Sequence, residues 1–440
     1  MKVGLIALSG VRAQNPELME LGLTLPGFVE RKKVVAALPS LGLLTLAGMT
    51  PPDIELEYVE VPDLEALAGL PGPYDAVALS SFTAQINAAY ELADRYRSGG
   101  TPVILGGLHV TALPEEARRH ADAVVIGEGE PLWPELIRDL RGGALEPVYD
   151  ARGFPFDLAQ APMPRYELLE IEKYNRLTVQ TQRGCPFRCE FCASSILISP
   201  VYKLKPIEKV IAEVRRIKEI WPHPFIEFAD DNSFVNKAHS RRLLRELAKE
   251  NVRWFTETDL SIAEDAELLS LMRDSGCEQV LIGFESAVAS ALNGLETRSN
   301  WKLRQFDHYR AAIDTIQGHG ITVDGCFVLG LDGTGTESFE QVWEFARESG
   351  LYEVQITVQT AFPGTPLYAR LAREGRLMRR GAWEFCTLFD VNFCPSDMSV
   401  EELEMGMREL SRKLYSAEAV HARRRRFHEQ NRARRAGGNP

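Results

Sequence analysis

The sequence predicts an α/β protein with an N-terminal doubly wound parallel sheet, a partial (β/α)6 barrel and a helical C-terminal extension. Three observations lead there. Over residues 1–145, short apolar runs alternate with segments of helical period, the pattern of a parallel sheet covered on both faces. From 177 to about 360, six strand-then-helix units follow one another, and right-handed crossovers bend such units toward a barrel. A loop carrying three cysteines follows the first of those six strands, at the end where barrels keep their chemistry.

In the first unit, strands are predicted at 3–8, 56–61, 76–80, 103–106 and 123–126, with helices at 84–97 and 131–140. Ligands of such sheets sit at the carboxyl ends of the strands. Polar and glycine residues gather there: Ser80, Ser81 and Thr83; Gly106, Gly107 and His109; Gly127, Glu128, Gly129 and Glu130. Glycines let a bulky ligand approach the backbone, and hydroxyls can bond its polar groups. Residues 28–50 hold a basic cluster and then, after Pro39, an apolar helix too short to span a membrane. Residues 146–176, rich in proline and aromatics, read as a linker.

In the barrel, strands are predicted at 178–182, 225–228, 253–257, 279–284, 322–329 and 353–359. Helices are expected at 206–220, 240–250, 266–274, 303–317 and 339–348. Acidic residues stand at the strand ends: Asp230 and Asp231, Glu257 and Asp259, then Glu285 with Ser286. A carboxylate at such a place can also be a helix N-cap or half of an ion pair. The expected organisation is 1–145, a linker at 146–176, a barrel at 177–370 and a helical region at 371–440.

The cysteine loop reads RGCPFRCEFCASS from Arg183 to Ser195 and spaces Cys185, Cys189 and Cys192 as C-x3-C-x2-C. A disulfide uses two cysteines, and a structural zinc site wants four Cys or His ligands. The other cysteines (277, 326, 386 and 394) are scattered singly, so no second pair completes a zinc knuckle. Three thiolates suit an iron–sulfur cubane with one iron open to a small molecule.

With Phe191 just before its last cysteine, this loop resembles that of the radical S-adenosylmethionine (radical SAM) enzymes. The resemblance implies a [4Fe-4S] cluster on Cys185, Cys189 and Cys192, whose open iron chelates S-adenosylmethionine and cleaves it to a 5′-deoxyadenosyl radical. It places Phe191 against the adenine, and Asp230, Glu257 and Glu285 around the ribose and amino group. The phrases SSFT, GGLHVTALPEE and GEGEPLWPEL of the first unit are similar to the cofactor loops of the cobalamin-dependent (class B) members. By that resemblance Ser80, Ser81, Gly106, Gly107, His109, Gly127, Glu128 and Gly129 would border cobalamin. The Asp-x-His-x-x-Gly motif that supplies an axial histidine elsewhere is absent. His109 and His120 are the only histidines of the first unit, and neither fits it. No protein histidine is expected on cobalt at that motif, and His109 reads as a loop contact.

Composition sets the outer limits. At 440 residues, 45% apolar and 25% charged, the chain can bury sizeable cores. An odd seven cysteines, three clustered, point to a reducing compartment and so to the cytoplasm. The opening MKVGLIALSG reads as a buried strand rather than a signal peptide, and no run is long enough for a membrane span. A net charge of −12 disfavours nucleic acid as a partner. The basic run Arg423–Arg426, Arg432, Arg434 and Arg435 reads as a solvated helix face. Cys386 and Cys394, near Trp383 and Phe385, read as buried thiols or as part of a substrate cavity.

The expected reaction is methylation of an unactivated carbon of a small-molecule or lipid-like substrate, with electrons from a donor such as flavodoxin or ferredoxin. Relatives of this architecture also catalyse cyclisation or oxidative rearrangement without methyl transfer. A methylthiotransferase would need a second cysteine set before the loop, and residues 1–184 contain no cysteine. A non-catalytic cobalamin or redox sensor would need neither the loop nor six βα units.

Overall fold

A computed structural model describes residues 1–11, 13–21, 38–198, 201–378 and 380–436. The basic cluster near residue 31 lies outside them. The first sheet contains β1 (Lys2–Leu8), β2 (Glu55–Val61), β3 (Ala76–Ser81), β4 (Val103–Gly106), β5 (Ala123–Ile126) and β6 (Val148–Asp150). They are parallel, in the spatial order β2-β1-β3-β4-β5-β6. The chain leaves β1 in one direction and returns on its other side, so a crevice opens at the carboxyl ends. Every residue of β1 after Lys2 is buried because helices cover both faces. The helix Leu41–Met49 starts where Ser40 caps Leu43 N–H, and it closes one side of the crevice. β6 falls inside the expected linker; three residues are too few to show a period.

The second sheet begins with β7 (Leu177–Val179). A two-stranded ribbon of β8 (Gln182–Arg183) and β9 (Lys203–Leu204) follows, with the cysteine loop between its strands. β10 (Phe225–Ser233), β11 (Arg253–Thr258), β12 (Cys277–Glu285), β13 (Thr322–Leu329) and β14 (Glu353–Val358) continue the sheet. Its order is β7-β10-β11-β12-β13-β14, all parallel, an open six-stranded barrel with helices outside. Two expectations change here. The strand predicted at 178–182 stops at Val179, because Gln182 and Arg183 leave the sheet to pair antiparallel with β9. The helix predicted at 303–317 is three pieces: Trp301–Gln305, a 3-10 turn at Phe306–His308, and Tyr309–Gly318.

Beyond the barrel, Val400–Leu414 opens on a reciprocal cap between Ser399 and Glu402, and Ala417–Ala436 follows. This last helix keeps Arg424, Arg425, Arg426 and Arg432 exposed, as its charge suggests, but docks its other side through Arg423 and Phe427. Arg423 is 5% exposed and donates to Leu414 O at 2.9 Å. Arg424 meets Glu353 at 3.2 Å, and the buried Phe427 packs edge-on against Tyr352. Long side chains with apolar stems can seal a helix to a barrel wall while their heads find carboxylates. Cys386 is buried, Cys394 is exposed, and neither borders the large cavity described below. Among the described residues no helix is long and apolar enough to cross a membrane.

Candidate active site between the two sheets

A cavity of about 380 Å³ opens where the carboxyl ends of the first sheet face the cysteine loop. Leu41, Ser80, Gly106, Gly107, Gly127 and Gly129 line its first-sheet side, and Arg183, Ser194 and Asp231 its barrel side. Gly107 and Gly127 adopt φ of 111° and 82°, which L side chains rarely reach, and a Cβ on Gly107 would meet Ser80 Oγ at 3.3 Å. The backbone is thereby laid bare to whatever fills the cavity. Among the described residues no histidine or cysteine lines it.

The three cysteines stand at the barrel's carboxyl end. Gly184 and Arg188 turn through positive φ, and Cys192 N–H closes a tight turn onto Cys189 O at 3.0 Å. Cys189 bridges to Glu296, Glu190 N–H donates to Leu295 O, and Arg370 clamps the Glu190 carboxylate at 2.6 Å. The loop is thus pinned from both flanks while its cysteines stay half-buried. Burial pushes the Cys185 thiol up to about 11 and the Cys189 thiol further. Such thiols stay protonated until iron displaces the protons. Among the described residues no His, Cys, Asp or Glu cluster converges on a single-ion position. A donor set of three spread thiolates fits a multi-iron cluster better than one zinc ion.

Several expected site residues are committed elsewhere. Asp230 is buried and accepts from Thr181 N–H at 2.8 Å, Thr181 Oγ1 at 2.5 Å, Gln182 N–H at 3.1 Å and Ser233 Oγ at 2.9 Å. Burial nevertheless lifts its carboxyl to about 6. It shapes the chain before the cysteine loop, and its neighbour Asp231 reaches the cavity instead. Asp231 accepts from Gly184 N–H at 2.8 Å and from Ser194 Oγ. Glu285, at φ 63°, is ion-paired with the buried Lys302 at 2.8 Å. Glu257 is accessible within the barrel lumen, where desolvation and then the charges of Glu227, Asp231, Asp324 and Glu285 raise its carboxyl to about 8. Phe191 is half-buried against the barrel core.

On the first sheet, Ser80, Gly106, Gly107, Gly127 and Gly129 line the cavity, but Ser81 and His109 do not. Alternation along β3 turns Ser81 to the other face. His109 lies in the short helix Leu108–Ala112 and points inward, 1% exposed, with Nε2 3.2 Å from Glu116 and its ring edge-on to Trp383. Burial lowers its pKa, which Glu116 offsets only in part, so it is a neutral packing residue. Glu128 touches the cavity, yet Arg183, Lys203 and the Phe156 N–H share its carboxylate. Arg183, Lys203 and Lys302 escaped the sequence reading: a lone cation on a strand or short helix has no local pattern to reveal its partner.

Residues 179–349 match the Radical SAM superfamily, residues 32–137 the B12 binding domain, and residues 365–439 a domain of unknown function, DUF4070. The first match contains the cysteine loop, and the second contains the glycine cradle. This chain belongs to the cobalamin-dependent (class B) radical SAM enzyme family. The cofactors of this class B enzyme are a [4Fe-4S] cluster, S-adenosylmethionine and cobalamin. It is 29% identical over 353 residues to bacteriochlorophyllide d C-12(1)-methyltransferase of Chlorobaculum tepidum, covering 79% of this chain and 76% of the relative. It is 30% identical over 354 residues to the hopanoid C-2 methylase of Rhodopseudomonas palustris, covering 78% and 66%. Its fold is shared with TsrM of Kitasatospora setae, a radical S-adenosylmethionine methyltransferase solved with cobalamin and a [4Fe-4S] cluster bound. That match has TM-score 0.65 at 15% identity over 99% of both chains.

Proposed function

We propose that this class B radical SAM enzyme methylates an unactivated carbon of a small-molecule or lipid-like substrate. One observation carries the reading: a single cavity is bordered by the glycine cradle of the first sheet and by Arg183, Ser194 and Asp231 around the cysteine loop. The glycine cradle and the residues beside the cysteine loop share this chamber, which supports a substrate carbon meeting both cofactors there. The named activities of the two relatives above, on a bacteriochlorophyllide and a hopanoid, support methyl transfer to extended, largely apolar molecules.

When bound, the cluster and S-adenosylmethionine supply radical generation, and cobalamin supplies the methyl group. The chain's own residues position them. Cys185, Cys189 and Cys192 would hold the cluster; Ser80, Gly106, Gly107, Gly127 and Gly129 would receive the corrinoid. Asp231 keeps the cysteine loop in place through Gly184 N–H and Ser194 Oγ. Glu257 and Phe191 are the residues assigned to S-adenosylmethionine, with Glu285 acting through Lys302. In this reading residues 1–145 form the corrinoid unit, 177–370 the radical SAM barrel and 371–440 the helical extension. Electrons would come from a flavodoxin or ferredoxin in the cytoplasm.

Anaerobic reconstitution with iron, sulfide and hydroxocobalamin, followed by reductant and methyl-labelled S-adenosylmethionine, tests this. Label on the bound corrinoid supports methyl transfer. Release of 5′-deoxyadenosine without retained corrinoid overturns it.

A further inference from the structure

β8 and β9 bracket the cysteine loop, and their register sets Arg183 directly opposite Lys203. Each strand is two residues long, too short to stand unaided. Two cations facing each other across an antiparallel pair repel and weaken it further. What joins them comes from the other sheet. Glu128, in the loop after β5, accepts from Arg183 Nη1 at 2.7 Å and from Lys203 Nζ with both oxygens at 2.6 Å. Glu130 takes Arg183 Nη2 at 2.8 Å. Phe156 adds its N–H to Glu128 at 2.9 Å and its carbonyl to Lys203 at 3.0 Å. All four charged side chains are at most 14% exposed, and the charges balance. Although burial works to raise it, Lys203, the Phe156 N–H and Arg183 hold the Glu128 carboxyl below its usual range.

A buried ionic set of this kind contributes little net stability, because desolvation consumes most of the attraction. What it does contribute is geometry. The same loop that carries Glu128 and Glu130 supplies Gly127 and Gly129 to the cavity wall, and the ribbon it clamps carries Cys185 two residues beyond Arg183.

We infer that Glu128 is a positioning residue that couples the two cofactor sites: through Arg183 and Lys203 it ties the glycine cradle to the base of the cysteine loop, so that filling either site stabilises the other. The inference rests on the corrinoid reading of the cavity and goes beyond it, since it makes Glu128 a tie between sites and not a contact to the cofactor.

Coupling of this kind is reciprocal, and its usual size is about 5- to 150-fold in affinity. Hydroxocobalamin is titrated into the full chain carrying its cluster and into the same chain stripped by chelator. The wild type is expected to bind at least about fivefold more tightly with the cluster present. Glu128→Gln and Arg183→Gln should bring that ratio to about one while each site still fills by itself. The exchanged pair Glu128→Lys with Lys203→Glu should restore it.

Deuterium exchange of residues 182–198 in the cofactor-free chain is the second readout, expected to quicken in Glu128→Gln. A wild-type ratio of one overturns the inference. So does equal loss of hydroxocobalamin binding by Glu128→Gln with and without the cluster, which would make Glu128 a cofactor contact. If the wild type binds no hydroxocobalamin, the corrinoid reading fails separately, and exchange alone decides: unchanged exchange in Glu128→Gln then removes the tie as well.

Discussion

Lys302 reaches from the helix Trp301–Gln305 to place its ammonium 2.8 Å from Glu285 Oε1 and 2.9 Å from Gly283 O, with both paired side chains 10% exposed. Burial works against its charge, but the Glu285 carboxylate outweighs it and keeps Lys302 protonated. Lys302→Met leaves Glu285 buried without a partner and should cost about 3–5 kcal/mol. Lys302→Met with Glu285→Leu should recover most of that loss in chemical denaturation. A cation beside the thiols also favours the reduced, more negative cluster. Lys302→Met is therefore expected to shift the cluster potential to a more negative value in an EPR-monitored titration.

Each of Cys185→Ser, Cys189→Ser and Cys192→Ser should abolish the iron–sulfur absorbance and the bound iron after reconstitution. The cysteines are half-buried, and the loop is held by Glu190, Asp231 and Glu296 rather than by sulfur. The cofactor-free variants should melt within about 2 °C of the wild type.

Glu257 gives stability a pH dependence of defined sign. Its folded pKa is raised to about 8, from the ordinary 4.5 of a glutamate, so the folded chain holds a proton that the unfolded chain releases. The wild type loses stability as pH rises between those two values and levels off above the higher one. Glu257→Gln lacks this titration. Its melting temperature should gain on the wild type from pH 5 to pH 8 and then hold a constant lead; a flat difference across that range would refute the assignment.

Gly406 sits in the middle of Val400–Leu414, where alanine ordinarily strengthens a helix by about 1 kcal/mol. Here a Cβ would lie 2.1 Å from the Phe339 ring. The sign should reverse, with Gly406→Ala destabilising by about 1–3 kcal/mol in urea.

Arg423 and Arg425 separate structure from charge in the last helix. Arg423→Ala removes the buried donor to Leu414 O and should cost about 1–3 kcal/mol, while Arg425→Ala, exposed, should stay within about 0.5 kcal/mol. Equal effects would mean that the helix is not docked as described.

The sequence by itself determined the two parallel sheets and the cysteine set, but not the short antiparallel ribbon that leads into the cysteine loop. The sheets and the cysteine set rest on local signals: apolar runs of strand length, helical period between them, and three thiols within eight residues. The glycine positions of the cradle were legible for the same reason, since a strand's carboxyl end is marked in the chain. What the side chains of Glu128, Asp230, Glu285 and His109 bind was decided only in three dimensions. Glu128 meets cations 55 and 75 positions away, Asp230 turns back 49, and Glu285 pairs with a lysine 17 residues on. His109 faces Trp383, far along the chain. A carboxylate at a strand end looks alike in sequence whether it faces a cofactor or a buried cation; packing of one sheet on the other makes the difference.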